Sequence, residues 1–276
     1  MVQGVSVVFR EVDRDARLRI GSLKPLHVTE WIDGHNDWNA TTRHRAVRSV
    51  KRVFNWAIRE GRLSQSPVRS LERPAPKRRE VFVTPEQYAA ILKRISDVCF
   101  RDYITFLFET GARPQEGRLI EAVHCDVAAG RIVLPAAKAK GQQHPRLILL
   151  TPNAVTIVKR LCTAHPQGPI FRNSDGHPWI KNSVNCRFRR IRDKLKKSGM
   201  PIDGLCATAF RHGFATEALK QGVDPVTLSI LMGHRDATQV ARTYQHLAAD
   251  AKHLNAALTA FRGQGDETTD GESSGE

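Results

Sequence analysis

Apolar residues recur at helical spacing through most of this sequence, so helices are the main elements that it predicts. One apolar stripe follows the candidate N-cap Thr41 and consists of Val47, Val50, Phe54, Ala57 and Ile58. A second helix is predicted from Thr84 and Pro85, because threonine at the N-cap followed by proline opens many helices. The nearly apolar run 101–110 predicts a helix in the core, with Gly111 placed to end it.

The segment 131–150, RIVLPAAKAKGQQHPRLILL, breaks this helical pattern. Two short apolar runs flank a basic turn, which is typical of a β-hairpin. Beyond it, helices are predicted at 152–164 and 182–198. The sequence therefore predicts a mainly α fold with a small β-hairpin or sheet.

The stretch 208–246 predicts three more helices in close succession. The first begins with Arg211 and ends at Gly222, and the second ends at Gly233, since glycine is a common C-terminal cap. The third is expected to carry Tyr244. Taken alone, this stretch is equally compatible with a helix-turn-helix module whose polar residues are solvated.

Prolines and consecutive bases mark the segment 72–83 as a linker between two domains. The pattern predicts a helical domain over 1–71, a second domain over 84–262 and an acidic, disordered tail over 263–276. Residues 1–22 combine strand-like and charged helical signals, so they predict no single element.

The chain is strongly basic. Its net charge is +15 over 276 residues, and the last 14 residues carry five acids and no base, so the remainder carries +20. Such a surface favours a polyanionic partner. Charge alone is equally compatible with contact to a ribosome or an anionic membrane, so it sets only the sign of the partner.

A disordered protein is excluded, because hydrophobic residues make up 41% of the chain and can form a buried core. The five cysteines are odd in number and lack paired C-x-x-C spacing, which argues against a disulfide framework or a zinc site. The sequence contains neither an N-terminal signal segment nor an apolar run near the ~20 residues that a bilayer requires. We therefore expect a cytoplasmic protein that makes no membrane contact.

The polar face of the helix predicted after Thr41 is basic and is opposed by Glu60 alone. Its bases are Arg43, Arg45, Arg48, Lys51, Arg52, Arg59 and Arg62. Successive cations on one helix face are typical of a helix that follows a phosphate backbone, with a merely solvated face as the alternative. The candidate DNA-binding residues of the whole chain are Arg43, Arg45, Arg48, Lys51, Arg52, Lys138, Arg187 and Arg190.

Five short motifs follow one another along the chain. They are TGARPQE with Arg113, a basic hairpin with a lysine, FRHGFAT with Arg211, LMGHRD with His234 and RTYQHL with Tyr244. The second arginine follows the first by 98 positions, the histidine comes 23 positions later and the tyrosine 10 after that. Over residues 47–247, this order and spacing resembles the tyrosine recombinases, or phage-type integrases.

The resemblance implies an enzyme that cuts and rejoins double-stranded DNA and that needs no cofactor and no metal ion. It implies a C-shaped clamp of two mainly helical domains, the first a core-binding domain that is short at its N-terminus here. It also implies assembly into a homotetramer on DNA, in the cytoplasm and associated with the nucleoid.

The resemblance further implies a role for each catalytic residue. Tyr244 would attack phosphorus and keep the phosphodiester energy in a 3′-phosphotyrosyl bond. Arg113 and Arg211 would hold the nonbridging oxygens, since guanidinium groups bind such oxygens bidentately. His234 would add a hydrogen bond to the phosphate, and Lys140 would protonate the departing 5′ oxygen.

Lys140 is favoured over Lys138 for this role because its six-residue step to Arg146 resembles the family's spacing better. Glu116 matches a family acid that would orient Arg113 rather than react, with a surface salt bridge as the alternative reading.

One departure from the family pattern is Thr208, where a histidine usually stands three residues before the second arginine. Threonine cannot act as a base near pH 7, so three alternatives are open: the role is dispensable, His212 takes it, or activity is reduced.

Two other functions are also open. A type IB topoisomerase resembles the same catalytic set but acts as one protomer, and a non-catalytic DNA-binding relative of the integrases would have lost activity.

Overall fold

The computed structural model of the chain describes residues 20–76, 81–139, 141 and 143–233. The chain divides into two compact units, Met1–Arg79 and Glu80–Glu276. The last helix predicted in the stretch 208–246 and the predicted acidic tail lie outside the described residues. None of the helices in the described ranges combines the length and the apolar character that crossing a membrane requires.

In the first unit, helices α1 (Pro25–Asp33) and α2 (Ala40–Arg59) share one small core. Helix α2 begins after Asn39, whose side chain accepts a hydrogen bond from the Thr42 N–H at 3.0 Å. The prediction of Thr41 as the N-cap is wrong, because Asn39 holds the extended conformation that capping requires and the helix already includes residue 41. The predicted stripe faces the core through Val47, Val50, Phe54 and Ala57, with Ile58 half-buried at its edge.

The second unit is built mainly of helices. They are α3 (Pro85–Leu92), α4 (Val98–Thr110), α5 (Pro114–Leu119), α6 (Pro152–Ala164), α7 (Lys181–Lys197), α8 (Ala207–Lys220) and α9 (Pro225–Met232). Thr84 caps α3 as predicted, accepting a hydrogen bond from the Gln87 N–H at 3.2 Å. Helix α4 lies in the core, and Gly111 ends it at φ +60°, a left-handed conformation that glycine adopts without strain.

The predicted hairpin is present and is extended by one short strand. Strands β1 (Cys125–Asp126), β2 (Arg131–Leu134) and β3 (Arg146–Leu149) form an antiparallel sheet in the order β1-β2-β3. Ile132 pairs with Ile148 and Leu134 pairs with Arg146, and all four are buried. One face of the sheet therefore covers the core, and an arginine lies on that face among apolar residues.

Helix α8 carries Arg211, and helix α9 ends within the LMGHRD motif. Gly213 lets α8 approach the segment before α3 closely, because an added Cβ would meet the backbone oxygen of Val83. Helix α9 ends at Gly233, which has φ +62° and donates its N–H to Ile230 O at 2.9 Å. The chain thus leaves α9 at a sharp turn directly before His234.

Candidate active site

Arg113 is positioned by the start of α5, where it is the N-cap residue. Glu116 Oε2 accepts a hydrogen bond from the Arg113 backbone N–H at 2.9 Å, and Oε1 accepts one from Arg113 Nη1 at 2.7 Å. The Glu116 side chain is only 2% exposed. The contact is therefore a buried one that fixes the direction of the guanidinium group, and not a surface salt bridge.

Arg211 lies on α8 with 5% of its surface exposed. Its Nη1 donates to Gly111 O at 2.7 Å, and its Nη2 donates to Met232 O at 2.8 Å. The first acceptor is at the end of α4 and the second at the end of α9. Arg211 thereby ties together two helix C-termini whose carbonyls have no donor within their own helices.

The two predicted arginines converge on the same helix end. Arg113 Nη2 donates to Gly233 O at 2.9 Å, one residue beyond the carbonyl that Arg211 binds. A helix C-terminus carries partial negative charge, which stabilises cations placed there. This end of α9, the two guanidinium groups and the Glu116 carboxylate form a site with a surplus of positive charge, suited to an anion.

A third arginine, Arg146 of β3, belongs to the same cluster. Its Nη2 donates to Leu231 O at 2.6 Å, and its Nε lies 3.6 Å from Glu116 Oε2, which is an ion-pair distance. Burial lowers the pKa of Arg146, and the Glu116 carboxylate opposes that shift. Sequence reasoning used Arg146 only as a spacing mark. The signal that could have found it is its inward position on β3, where alternation places an apolar side chain.

Three of the predicted catalytic residues, Lys140, His234 and Tyr244, lie outside the described residues. The competing lysine, Lys138, is described, and its Nζ forms an ion pair with Glu121 Oε1 at 2.6 Å. Its ammonium group is therefore already matched to a carboxylate of the same domain.

Thr208 and His212 flank Arg211 on α8. Thr208 is exposed one turn before Arg211. Burial, and after it the charge of Arg211, lowers the pKa of His212 from its ordinary value of 6.5. His212 is half-buried on α8 next to Arg211, and with its lowered pKa the imidazole is neutral at pH 7.

The other two tyrosines of the chain are core residues, as predicted. Tyr103 is fully buried and donates its hydroxyl to Pro114 O at 2.7 Å. Tyr88 stacks on Phe108 with 3.8 Å between ring centroids. Burial raises the pKa of both phenols, which makes them still weaker nucleophiles at neutral pH.

The first unit contains a basic cavity of about 970 Å³ beside α2. The bases that line it are Arg48, Lys51, Arg52, Arg59, Arg69 and Arg73, and no acid is among the lining residues. Arg69 and Arg73 were missed because they follow the helix and share no periodic face with it. They are brought to the cavity by the chain turning back, where Lys51 Nζ donates to Arg69 O at 3.0 Å.

The remaining predicted DNA-binding residues have different surroundings. Arg43 Nη1 pairs with Asp33 at 2.7 Å, and Arg45 is exposed on α2 outside the cavity lining. On α7, Arg190 is exposed, whereas Arg187 pairs with Asp97 at 2.8 Å and also lies over the ring of Trp179. Arg187 is therefore held by its own domain more firmly than Arg190.

Among the described residues, no cluster of His, Cys, Asp and Glu could hold a metal ion.

The domain is mainly helical with a small sheet, and the separated arginines that meet at one helix end suit an enzyme that acts on a phosphoryl group. The family model described as "Phage integrase family" matches residues 81–251, and the chain belongs to this family. It is a tyrosine recombinase, an enzyme that breaks and rejoins DNA strands.

Relatives agree with this assignment, and solved structures share the fold. The chain is 28% identical to tyrosine recombinase XerC of Rhodospirillum centenum over 253 residues, which cover 86% of this chain and 70% of the relative. It is 25% identical to tyrosine recombinase XerD of Vibrio vulnificus over 248 residues, covering 85% and 79%. The fold is similar to that of the Tn1549 transposon integrase in complex with transposon right end DNA, with a TM-score of 0.73, 21% identity and coverage of 94% and 93%. It is also similar to a lambda integrase dimer bound to a COC′ core site, with a TM-score of 0.67, 16% identity and coverage of 88% and 70%.

Proposed function

We propose that this chain is a site-specific recombinase that cuts duplex DNA through a 3′-phosphotyrosyl intermediate, with Tyr244 as its nucleophile. The observation that carries the proposal is the convergence of Arg113 and Arg211 on neighbouring carbonyls at the end of α9. This pair supplies the positive charge that a phosphodiester needs as negative charge builds up on its nonbridging oxygens.

In the cleavage step, the Tyr244 oxygen forms a bond to phosphorus, and the bond from phosphorus to the 5′ oxygen breaks. The phenol gives up its proton and the 5′ oxygen gains one, so the strand ends as a free 5′-hydroxyl. Because the phosphodiester energy is kept in the phosphotyrosyl bond, the reverse attack by a 5′-hydroxyl rejoins DNA without an energy source.

Lys140 is the proposed general acid for the 5′ oxygen. The ion pair between Lys138 and Glu121 supports this choice, because a lysine already matched to a carboxylate is less available to a leaving group. His234 follows Gly233 directly and is proposed to hydrogen-bond the phosphate. Thr208 is exposed one turn before Arg211 and is proposed to hydrogen-bond the phosphate, since its hydroxyl cannot act as a base near pH 7.

The first unit is proposed to bind the DNA backbone through its basic cavity and the exposed face of α2. Six bases without a lining acid favour a polyanion over a small neutral ligand. On the second unit, the exposed Arg190 of α7 is proposed to contact phosphate as well. We further propose that the core-binding unit and the catalytic unit together enclose the duplex as a C-shaped clamp.

Recombination exchanges strands between two duplexes, so we propose that four protomers assemble on DNA. The similar lambda integrase structure is a dimer on a core site, which supports assembly on DNA as such. The protein is proposed to act in the cytoplasm, on the nucleoid. Measuring the mass of the complex on paired duplexes tests the tetramer, and a complex that stays at one protomer per duplex contradicts it.

The decisive experiment uses a nicked suicide duplex, in which a short 5′ fragment leaves after cleavage and traps the covalent adduct. The substrate is a library of nicked duplexes with a randomised centre, so that many candidate target sequences are offered at once. Denaturing gel electrophoresis then separates the protein joined to DNA from free protein. We expect an adduct with the parent chain, and a parent that binds the library tightly without forming one overturns the proposal.

A further inference from the structure

Three arginines from three different elements bind successive carbonyls at the end of α9. Arg146 of β3 binds Leu231 O, Arg211 of α8 binds Met232 O, and Arg113 at the start of α5 binds Gly233 O. An α-helix leaves its last four carbonyls without a donor of its own, so this end is satisfied residue by residue from outside. The position of the turn that leads to His234 therefore depends on all three side chains.

Arg146 lies on the inward face of β3 and is about as deeply buried as Arg211. It is 6% exposed, and its Nη1 donates to Leu147 O while also lying 3.5 Å from Ile230 O. All three nitrogens of its guanidinium group face acceptors of its own domain: Nη1 the Leu147 carbonyl, Nη2 the Leu231 carbonyl and Nε the Glu116 carboxylate. The buried Glu116 carboxylate compensates its charge.

Glu116 connects Arg146 to Arg113. One carboxylate oxygen accepts from Arg113 Nη1, and the other accepts from the Arg113 N–H and faces Arg146 Nε at 3.6 Å. Gly233 closes the cluster, because a Cβ at this residue would lie 2.6 Å from Arg146 Cδ and Nε. The Arg146 side chain is thus packed between the carboxylate that orients Arg113 and the end of α9.

We infer that Arg146 is a positioning residue for cleavage, which sets the end of α9 and the direction of the Arg113 guanidinium without touching DNA. The inference rests on the proposed function. A planar fork with donors on three nitrogens can bind the Leu231 carbonyl and face Glu116 at once, whereas an ammonium group cannot span both. Loss of this fork displaces the Arg113 guanidinium and the end of α9. A small displacement of groups that act on the scissile phosphate slows cleavage strongly.

The test compares Arg146→Lys and Arg146→Gln with the matched control Arg131→Gln. Arg131 lies in the same hairpin, and its ion pair with Asp126 is exposed. At saturating nicked duplex, we expect both Arg146 variants to form adduct about 10- to 100-fold more slowly than the parent, with duplex affinity nearly unchanged. The Arg131 variant keeps the parental rate and affinity. Cleavage by Arg146→Lys at the parental rate overturns the inference, as does a loss of affinity as large as the loss of rate.

A double variant separates positioning from general damage. If Arg146 acts through Arg113, then Arg113→Lys together with Arg146→Lys is little slower than Arg113→Lys alone, because residues that act as a unit give losses that do not add. Losses that multiply fully overturn the inference.

Hydrogen exchange of residues 225–233 gives a readout that does not depend on cleavage. We expect exchange about 10-fold faster or more in Arg146→Lys, since the end of α9 loses its anchor, and parental exchange in Arg131→Gln. Unchanged exchange overturns the positioning role even if cleavage is slow. A parent that forms no adduct while the exchange difference is present contradicts the proposed function and supports the structural part of this inference. If Arg146→Gln does not fold, Arg146→Lys and the exchange measurement decide alone.

Discussion

Arg113 and Arg211 stand 98 positions apart in the sequence, yet they donate to the neighbouring carbonyls Gly233 O, at 2.9 Å, and Met232 O, at 2.8 Å. Two guanidinium groups bound to adjacent carbonyls are themselves neighbours and repel each other. The Glu116 carboxylate and the negative end of α9 reduce this repulsion without cancelling it. A phosphodiester would supply the missing negative charge, which supports the proposed role of the pair in holding the scissile phosphate.

Replacing Arg113 or Arg211 by lysine should slow cleavage far more than it weakens DNA binding. Lysine keeps the charge but loses the bidentate contact, which strengthens as charge develops in the transition state. We expect adduct formation to slow by about 10²- to 10³-fold at saturating nicked duplex, while a gel-shift assay gives nearly parental affinity. Arg101→Lys, an exposed position on α4, is the control. Equal losses in both assays would contradict the assigned role.

Replacing Tyr244 by phenylalanine should abolish the covalent adduct. The substitution removes one oxygen and keeps the ring, so folding and duplex affinity stay close to those of the parent. The core tyrosines cannot substitute, since Tyr103 is fully buried and Tyr88 is stacked on Phe108. Denaturing electrophoresis after incubation with the nicked duplex is the measurement. An adduct formed by the phenylalanine variant would show that another residue is the nucleophile.

Replacing Arg48 and Arg52 together by alanine should weaken binding to all duplex sequences to a similar degree. Both bases line the cavity beside α2, and each neutralised phosphate contributes about −0.9 to the slope of log affinity against log salt. We expect the slope to become shallower by about two. Lys24→Ala, an exposed base of the same unit outside the cavity lining, should leave the slope unchanged. A parental slope in the double variant would mean that the basic face of α2 is solvated and does not contact phosphates.

Replacing His212 by glutamine should make stability less dependent on pH below neutrality. Burial and Arg211 lower the pKa of His212 below its ordinary 6.5, so the unfolded chain binds the proton more readily. The stability associated with this group is complete above pH 6.5 and falls as the pH drops from there towards the folded pKa. Urea unfolding of parent and variant from pH 7.5 to 5 should show the smaller decline in His212→Gln. Parallel declines in parent and variant would mean that the pKa of His212 does not change on unfolding. The cleavage rate of His212→Gln separately shows whether His212 takes the role of the family histidine that Thr208 replaces.

Replacing Gly213 by alanine should destabilise the catalytic unit. The new Cβ would overlap the Val83 backbone oxygen, and backbone on both sides leaves no flexible side chain to move. We expect a loss of about 1–3 kcal/mol, measured as a lower Tm. Lys220→Ala on the same helix is exposed and should stay near the parental Tm. A parental Tm in Gly213→Ala would mean that the segment before α3 can shift without cost.

The local elements of this protein follow from its sequence. Thr84 with Pro85 opens α3, Gly111 ends α4 and Gly233 ends α9, because capping and left-handed turns depend on residues close in the chain. Two helix starts were predicted wrongly: Asn39, and not Thr41, caps α2, and Arg211 lies inside α8, which begins at Ala207. The family assignment was also accessible, since it depends on motif order.

Tertiary structure alone decided how the arginines are used. Arg146 binds the Leu231 carbonyl, 85 positions away, and the residue pattern of β3 does not predict that partner. The same holds for Arg211, whose acceptor Gly111 lies 100 positions earlier. A buried guanidinium is stable only where carbonyls and a carboxylate meet it from several elements, and those elements meet only in the folded chain. The sequence by itself determines which residues are charged, and packing determines which of those charges face the substrate and which hold the site in place.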